Sequence, residues 1–306
     1  MPLAPGPWGS PFMLKTSMTV KVAIVADSIA CLTRELVKKY KISIAPLPIS
    51  AGGKIYRDWV DITPSQAYEL FLKDPDSFHA AGASPGSFLD AYREASKRAN
   101  NILCITVSAG ISGANDAAEK AKEHIRKEHP HLSIEVLDSQ MATAAEGFIA
   151  LAAARAAEEG KSLDEVVKAA KEMREKAAWV VALDTIRHVY RTGRIPKFAA
   201  QVGSLLNIRP ILTMSPATSG LIRFIGAARS REGGVERMLK IMRGRVGQSP
   251  VHVAVMHAYA PADAEKLMER VASEFNCAEL WLTEFSPLMG YACGTGTLGL
   301  AFYKED

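Results

Sequence analysis

The sequence predicts an α/β chain of two domains: a parallel α/β sandwich, then a second domain with a mixed or antiparallel sheet and helices. Three observations carry this. From Val20 onward, short β-rich apolar runs alternate with amphipathic stretches, the pattern of parallel strands joined through crossover helices. Beyond residue 177 the strands crowd together around the turn PATSG, which suits a hairpin rather than a crossover. A chain of 306 residues also exceeds the size, about 250–300 residues, at which a single core stops growing. The expected division is a flexible leader at 1–19, a parallel-sheet domain at 20–165 and a mixed-sheet domain at 166–306.

The leader holds Pro2, Pro5, Pro7 and Pro11 where a signal peptide needs an apolar run, and Met13 or Met18 can equally serve as the start. VKVAIVADS reads as a buried first strand, followed by a helix over 32–40 from its apolar spacing. The strand at 42–49 contains Pro46 and Pro48, so it belongs at an edge or is irregular. Gly52-Gly53 turns the chain, and Thr63-Pro64 places an N-cap and a first-turn proline at the head of a helix over 63–72. After a polar loop at 73–82, Ser84-Pro85-Gly86 repeats that logic. Strand NILCITVS ends in Ser108-Ala109-Gly110-Ile111-Ser112-Gly113 and leads into a helix reaching about residue 127. Strand LSIEVLDS precedes an Ala-rich helix over 143–159, whose small side chains permit close packing, with Gly160 at its end. A helix over 163–176 leads to the second half: strand AWVVALD, segment IRHVYRTGRIPK, a helix near 198–206, and the hairpin of RPILTMS with LIRFIGAARS. A helix over 234–246, strand VHVAVMHAY, a helix over 261–275 and strands ELWLTEFS and TLGLAFY complete it.

Several function classes are excluded by composition. With 48% hydrophobic and 23% charged residues the chain is ordinary globular material. Its 37 Lys+Arg against 33 Asp+Glu leave only +4, without a long basic block, so no nucleic-acid partner is expected. No run reaches the roughly 18–20 apolar residues of a membrane-spanning helix, so no membrane insertion is expected. Cys31, Cys104, Cys277 and Cys293 form no CxxC pair, which argues against zinc and disulfides and fits a reducing cytoplasm.

Gly294-Thr295-Gly296-Thr297-Leu298-Gly299 matches GxGxxG, but a dinucleotide site needs a helix after the glycines and here a strand follows. A glycine turn lining a pocket accounts for it better. His124, His129 and His131 cluster in a charged helix end beside Pro130, a context that argues against a metal site, and no cofactor is expected. Segment 108–113 says more. It sits where a parallel strand gives way to a helix, so free amides and the helix dipole favour an anion, with the Ser112 hydroxyl adding a donor. Capping of the helix by Ser112 is the equal alternative. Asp27-Ser28 and Asp138-Ser139 occupy equivalent strand ends, where capping is the default. Arg191-Thr192-Gly193-Arg194 and Lys197 make a basic knot that suits a solvated face, a partner surface or an anchor for an acidic group.

These stretches, in this order, resemble the DegV family of bacterial fatty-acid-binding proteins: VAIVADS, ASPGSFLDAY, SAGISGANDAAEKA, IEVLDSQMATAAEG, RTGRIPKFAAQVGSLLNIRPILTM, GAARSREGG and GTGTLGLAFY, spanning about residues 21–304. The resemblance implies an α/β first domain, a second domain with a largely antiparallel sheet, and an acyl chain held in an apolar tunnel. It also implies a carrier without chemistry of its own, presenting the fatty-acid carboxylate to a separate fatty-acid kinase for phospholipid synthesis. The headgroup residues it implies are Ser112 and Gly113 with Ser108, and the positions Ala80, Ala81, Tyr291, Ala292 and Thr295; Arg194 and Arg191 fall to the partner surface.

Departures from the family pattern concentrate at the headgroup. Ala80-Ala81 replace a Thr-Ser pair, Ala292 replaces a histidine, Thr295 replaces a proline, and Ala114-Asn115 replace Thr-Tyr, while Ser112 and Arg194 are retained. Two polar contacts thereby become methyls, and a buried carboxylate with too few donors costs several kcal/mol. Weaker binding, a head held by amides and Ser112, recruitment of Tyr291 or Thr295, or a more neutral lipid each answer that loss. Two other classes stay open: an enzyme using the same interdomain crevice through His257 and Cys293, and a ligand-sensing regulatory module docking a partner on its Arg-rich second domain.

Overall fold

The computed structural model describes residues 21–185, 192–194 and 208–305. The leader at 1–19, most of the segment 186–197 and the helix expected near 198–206 lie outside the described residues.

Strand β1 (Val22–Asp27) is buried at every position, as a parallel strand covered on both faces must be. Asp27 caps a single turn, Ser28–Ala30, and helix α1 (Arg34–Tyr40) starts two residues later than its apolar spacing suggests because Thr33 is its N-cap. The strand expected at 42–49 is two strands. β2 (Ser43–Ala45) edges the parallel sheet, whereas β3 (Pro48–Ala51) leaves it and pairs antiparallel with β4 (Lys54–Arg57). Proline has no N–H to donate to a ladder, so Pro46 and Pro48 mark the break.

Helix α2 (Pro64–Lys73) opens on a complete capping box between Thr63 and Gln66. The loop that follows contains an unforeseen strand, β5 (His79–Ala80), which adds to β3. Helix α3 (Pro85–Ser96) is capped by Ser84 as its Ser-Pro start predicts. Then come β6 (Asn101–Thr106), α4 (Ala114–Glu128), β7 (Ser133–Asp138), α5 (Ala144–Glu158) and α6 (Leu163–Lys176). The sheet order is β2-β1-β6-β7, parallel throughout.

The second half builds a six-stranded sheet from β8 (Ala178–Ala182), β9 (Arg209–Met214), β10 (Arg223–Ala228), β11 (Val251–His257), β12 (Cys277–Glu284) and β13 (Leu298–Lys304). Its order is β10-β9-β8-β13-β11-β12, antiparallel except for β11 with β12. That parallel pair needs a crossover, supplied by α8 (Pro261–Glu274). Helix α7 (Arg231–Val246) starts at Arg231 rather than 234, because Ser230 caps it by accepting the Gly233 amide.

Alternation along these strands divides the core. Val180, Val253, Val255, Leu300 and Phe302 pack with the apolar residues of α7 and α8. Their neighbours Trp179, Val181, Ala254, Met256, Ala301 and Tyr303 join the core of the first half. The helices therefore cover one face of the second sheet and the first half covers the other. Helix α5 lies at the join, with twelve of its fifteen residues buried. Its alanines follow from that position, since a helix enclosed on all sides has no polar stripe and close approach excludes large side chains. At Gly147 a Cβ would lie 2.6 Å from the Ala30 carbonyl. From α5, Arg155 reaches Glu279 of β12 with two hydrogen bonds of 3.0 and 2.9 Å, tying the sheets together. Among the described residues no helix is long and apolar enough to cross a membrane.

Candidate functional site

The carboxyl ends of β1 and β6 meet at one point because a single side chain ties them. Asp27 Oδ1 accepts the Ile29 amide at 2.9 Å and Oδ2 accepts the Val107 amide at 2.8 Å. Ile29 and Val107 then form part of the wall of a half-open cavity of about 310 Å³, together with Leu47, Ile111, Ile222 and Met289. That volume lies at the low end of the range for small-molecule sites. The lining is mixed, with apolar groups from these residues and polar groups from His79, Ser112, Thr192, Arg194 and Tyr291.

Ala80, Ala81, Ser112, Gly113, Tyr291, Ala292 and Arg194 all line this cavity, although more than 200 residues separate the first from the last of the lining positions. Ser112 Oγ accepts the Ala114 amide at 3.2 Å, so it serves the first turn of α4 and keeps its O–H for another acceptor. Residues 291–293 are not a loop. They end a short helix, α9 (Pro287–Cys293), whose start, Ser286-Pro287, repeats the N-cap and first-turn proline pattern of Ser84-Pro85. Arg194 lies at the mouth, with Nε donating to the Ile111 carbonyl at 3.2 Å and Nη1 to the Thr192 carbonyl.

Two expected headgroup residues lie elsewhere. Ser108 is fully buried and does not line the cavity; its Oγ donates to the Gly220 carbonyl at 2.8 Å and accepts the Gly110 amide at 3.1 Å. Thr295 lies in the glycine turn between α9 and β13, also outside the lining. Arg191 lies outside the described residues. Conversely, His79, Leu47 and Ile222 line the cavity without having been singled out, and Thr192 of the basic knot lines it too. For His79 the available signal was the buried Phe78 before it, which anchors β5 in the core of the small sheet.

Behind the wall lie buried carboxyls. Burial pushes Asp27 up to about 7 against its two amide bonds, and Asp58 up to about 6 although Ser286 Oγ donates to it at 2.7 Å. Burial also drives Glu146 well above the carboxylate range; neither of its oxygens has a partner among the described residues. His257 and Cys293 are held away from reactive forms. Burial lowers the His257 imidazole to about 4, and its Nδ1 accepts the Ala260 amide at 3.2 Å, while burial raises the Cys293 thiol to about 12. His124 pairs with Glu128 at 3.4 Å on the exposed surface of α4.

Fold and site define a class: an α/β protein whose two larger sheets share a core and whose cavity, lined by both apolar and polar groups, opens at strand ends. The family model described as "Uncharacterised protein, DegV family" matches residues 21–305, and the chain belongs to the DegV family. A DegV domain-containing protein of Streptomyces coelicolor is 32% identical over 286 residues, covering 92% of this chain and 98% of its own. Protein DegV of Bacillus subtilis is 26% identical over 285 residues, covering 92% and 99%. Among solved structures, one described as fatty-acid binding of a DegV family protein from Thermus thermophilus aligns with a TM-score of 0.82 at 27% identity, over 93% of this chain and all of its own. DegV of Bacillus subtilis, described as a fatty-acid-binding protein, aligns with a TM-score of 0.82 at 25% identity, over 93% and 99%.

Proposed function

We propose that this chain binds one long-chain fatty acid, with the acyl chain against Ile29, Leu47, Val107 and Met289 and the carboxylate at the rim near Ser112 and Gly113. The observation that carries this reading is the make-up of the cavity: apolar Ile29, Leu47, Val107 and Met289 share its lining with Ser112 and Gly113, the two residues just before α4, where the hydroxyl and the positive end of the helix dipole suit an anionic tip. The fatty-acid-binding relatives support it. Ala80, Ala81 and Ala292 contribute methyls to the same cavity, so fewer side-chain donors face the head.

In this reading the protein is a cytoplasmic acyl carrier that performs no reaction. It presents the carboxylate to a fatty-acid kinase for phospholipid synthesis, with Arg194 and Arg191 on the docking side. The units that hold the ligand are residues 20–165 and 166–306. An enzymatic reading through Cys293 and His257 is disfavoured by burial, which keeps the thiol protonated and leaves the imidazole too weak a base to take its proton. Native mass spectrometry of the purified full chain tests the central claim. A single bound fatty acid is expected, and protein that stays empty after incubation with oleate would overturn it.

A further inference from the structure

We propose that His79 is the side chain that recognises the oxyanion at the head of the ligand, doing at the cavity mouth what the alanines at 80, 81 and 292 cannot. This rests on the fatty-acid reading above and names a residue nothing else assigns to it. His79 belongs to β5, held in register by pairing with Ser50 of β3. Its ring lies edge-on to Tyr291, with centroids 6.3 Å apart and planes at 83°. Tyr291 is itself fixed by edge contacts with Phe71 and by the ring of Phe78, so the imidazole stands beside an anchored wall.

The other polar groups of the lining are partly engaged: Ser112 Oγ accepts the Ala114 amide and keeps only its O–H to give, Nε and Nη1 of Arg194 are used on the Ile111 and Thr192 carbonyls, and Thr192 Oγ1 accepts the Arg194 amide. Among the described residues the ring nitrogens of His79 carry no hydrogen bond, and the residue is exposed at the mouth. An imidazole N–H suits a carboxylate or a phosphate monoester; both present oxyanion lone pairs, and an alcohol or ester does not present a charge. The ligand class is therefore an alkyl chain ending in an oxyanion.

The test is calorimetric titration of the full chain with oleate, oleyl phosphate and oleyl alcohol, for the wild type, His79→Ala and His79→Gln. Because His79 is exposed, the alanine variant should keep the wild-type melting temperature, which circular dichroism checks. His79→Ala should bind the acidic ligand about tenfold more weakly, the scale of one hydrogen bond to a charged acceptor, with oleyl alcohol unchanged and His79→Gln recovering part of the loss. A larger effect on oleate than on oleyl phosphate assigns the carboxylate, and the reverse order assigns the phosphate. Unchanged oleate affinity in His79→Ala, or equal losses for acid and alcohol, overturns the role of His79 while leaving fatty-acid binding intact. A wild type that takes up none of the three overturns both.

Discussion

Replacing Gly290 by alanine tests how the cavity wall is held. Gly290 lies in α9, and its backbone angle is one that any residue adopts; the constraint on it is proximity. A Cβ there would lie 2.1 Å from both Cε1 and Oη of Tyr68. Ordinary carbon contacts begin near ~3.5 Å, so about 1.4 Å of relief must come from one partner. Tyr68 is poorly able to supply it: it is 1% exposed, and its hydroxyl donates to the Phe285 carbonyl at 3.0 Å. The helix must shift instead, at an overpacking cost of about 1–3 kcal/mol. If the Tyr68 hydrogen bond breaks as well, about 1 kcal/mol is added. Against a total stability of roughly 5–15 kcal/mol that is a large fraction. Because Met289, Tyr291, Ala292 and Cys293 ride on the same helix and line the cavity, oleate affinity should fall with stability. Urea unfolding of Gly290→Ala, Tyr68→Ala and the double variant measures the coupling. The double variant should cost at least ~1 kcal/mol less than the sum, since removing the ring makes room for the methyl. A single variant within about 0.5 kcal/mol of wild type, or strictly additive values, would refute the argument from proximity.

Three further outcomes are expected. Ser112→Ala should lower stability by about 0.5–1 kcal/mol through loss of the Ala114 contact, and weaken oleate binding about tenfold; unchanged affinity in titration would reduce Ser112 to a cap. Glu146→Leu removes a buried carboxyl that has no partner among the described residues, and should raise the urea midpoint by the equivalent of about 1–2 kcal/mol; a fall would mean that the carboxyl is doing structural work. Stability should decline as pH rises from about 4 to about 7. Folding raises Asp27 to about 7 and Asp58 to about 6; His257, lowered to about 4, acts in the opposite sense but by less than the two carboxyls together, so the folded chain binds more protons than the unfolded one across that window. At about 1.4 kcal/mol per pKa unit the change is on the order of a few kcal/mol, and urea midpoints that are flat or rising over this range would contradict it.

Much of the architecture is legible in the residues because the signals are local. Thr63-Pro64 and Ser84-Pro85 announce helix starts that the structure reproduces, and the apolar run at Val22–Asp27 announces a strand buried on both faces. The prolines at 46 and 48 warn of an irregular strand but do not say where the chain goes next, because the pairing of β3 with β4 and β5 depends on Ile49 and Phe78 finding a shared core. The short helix α9 opens on Ser286-Pro287, a start signal like that at Ser84-Pro85, but that Gly290 must be a glycine there follows only from Tyr68 lying against it. Ser108 and Ser112, four residues apart and chemically alike, end in different roles because one faces the Gly220 carbonyl and the other the cavity.

By itself the sequence determined the α/β class and most of the strand and helix succession, which follow from periodicity and capping within a few residues. Tertiary structure alone decided that positions 80, 112, 194 and 292 surround one cavity, that His79 stands at its mouth, and that the two sheets share a core across α5. The reason is that contacts between residues far apart in the chain are set by how buried faces match after the elements have formed, and no local pattern encodes that match.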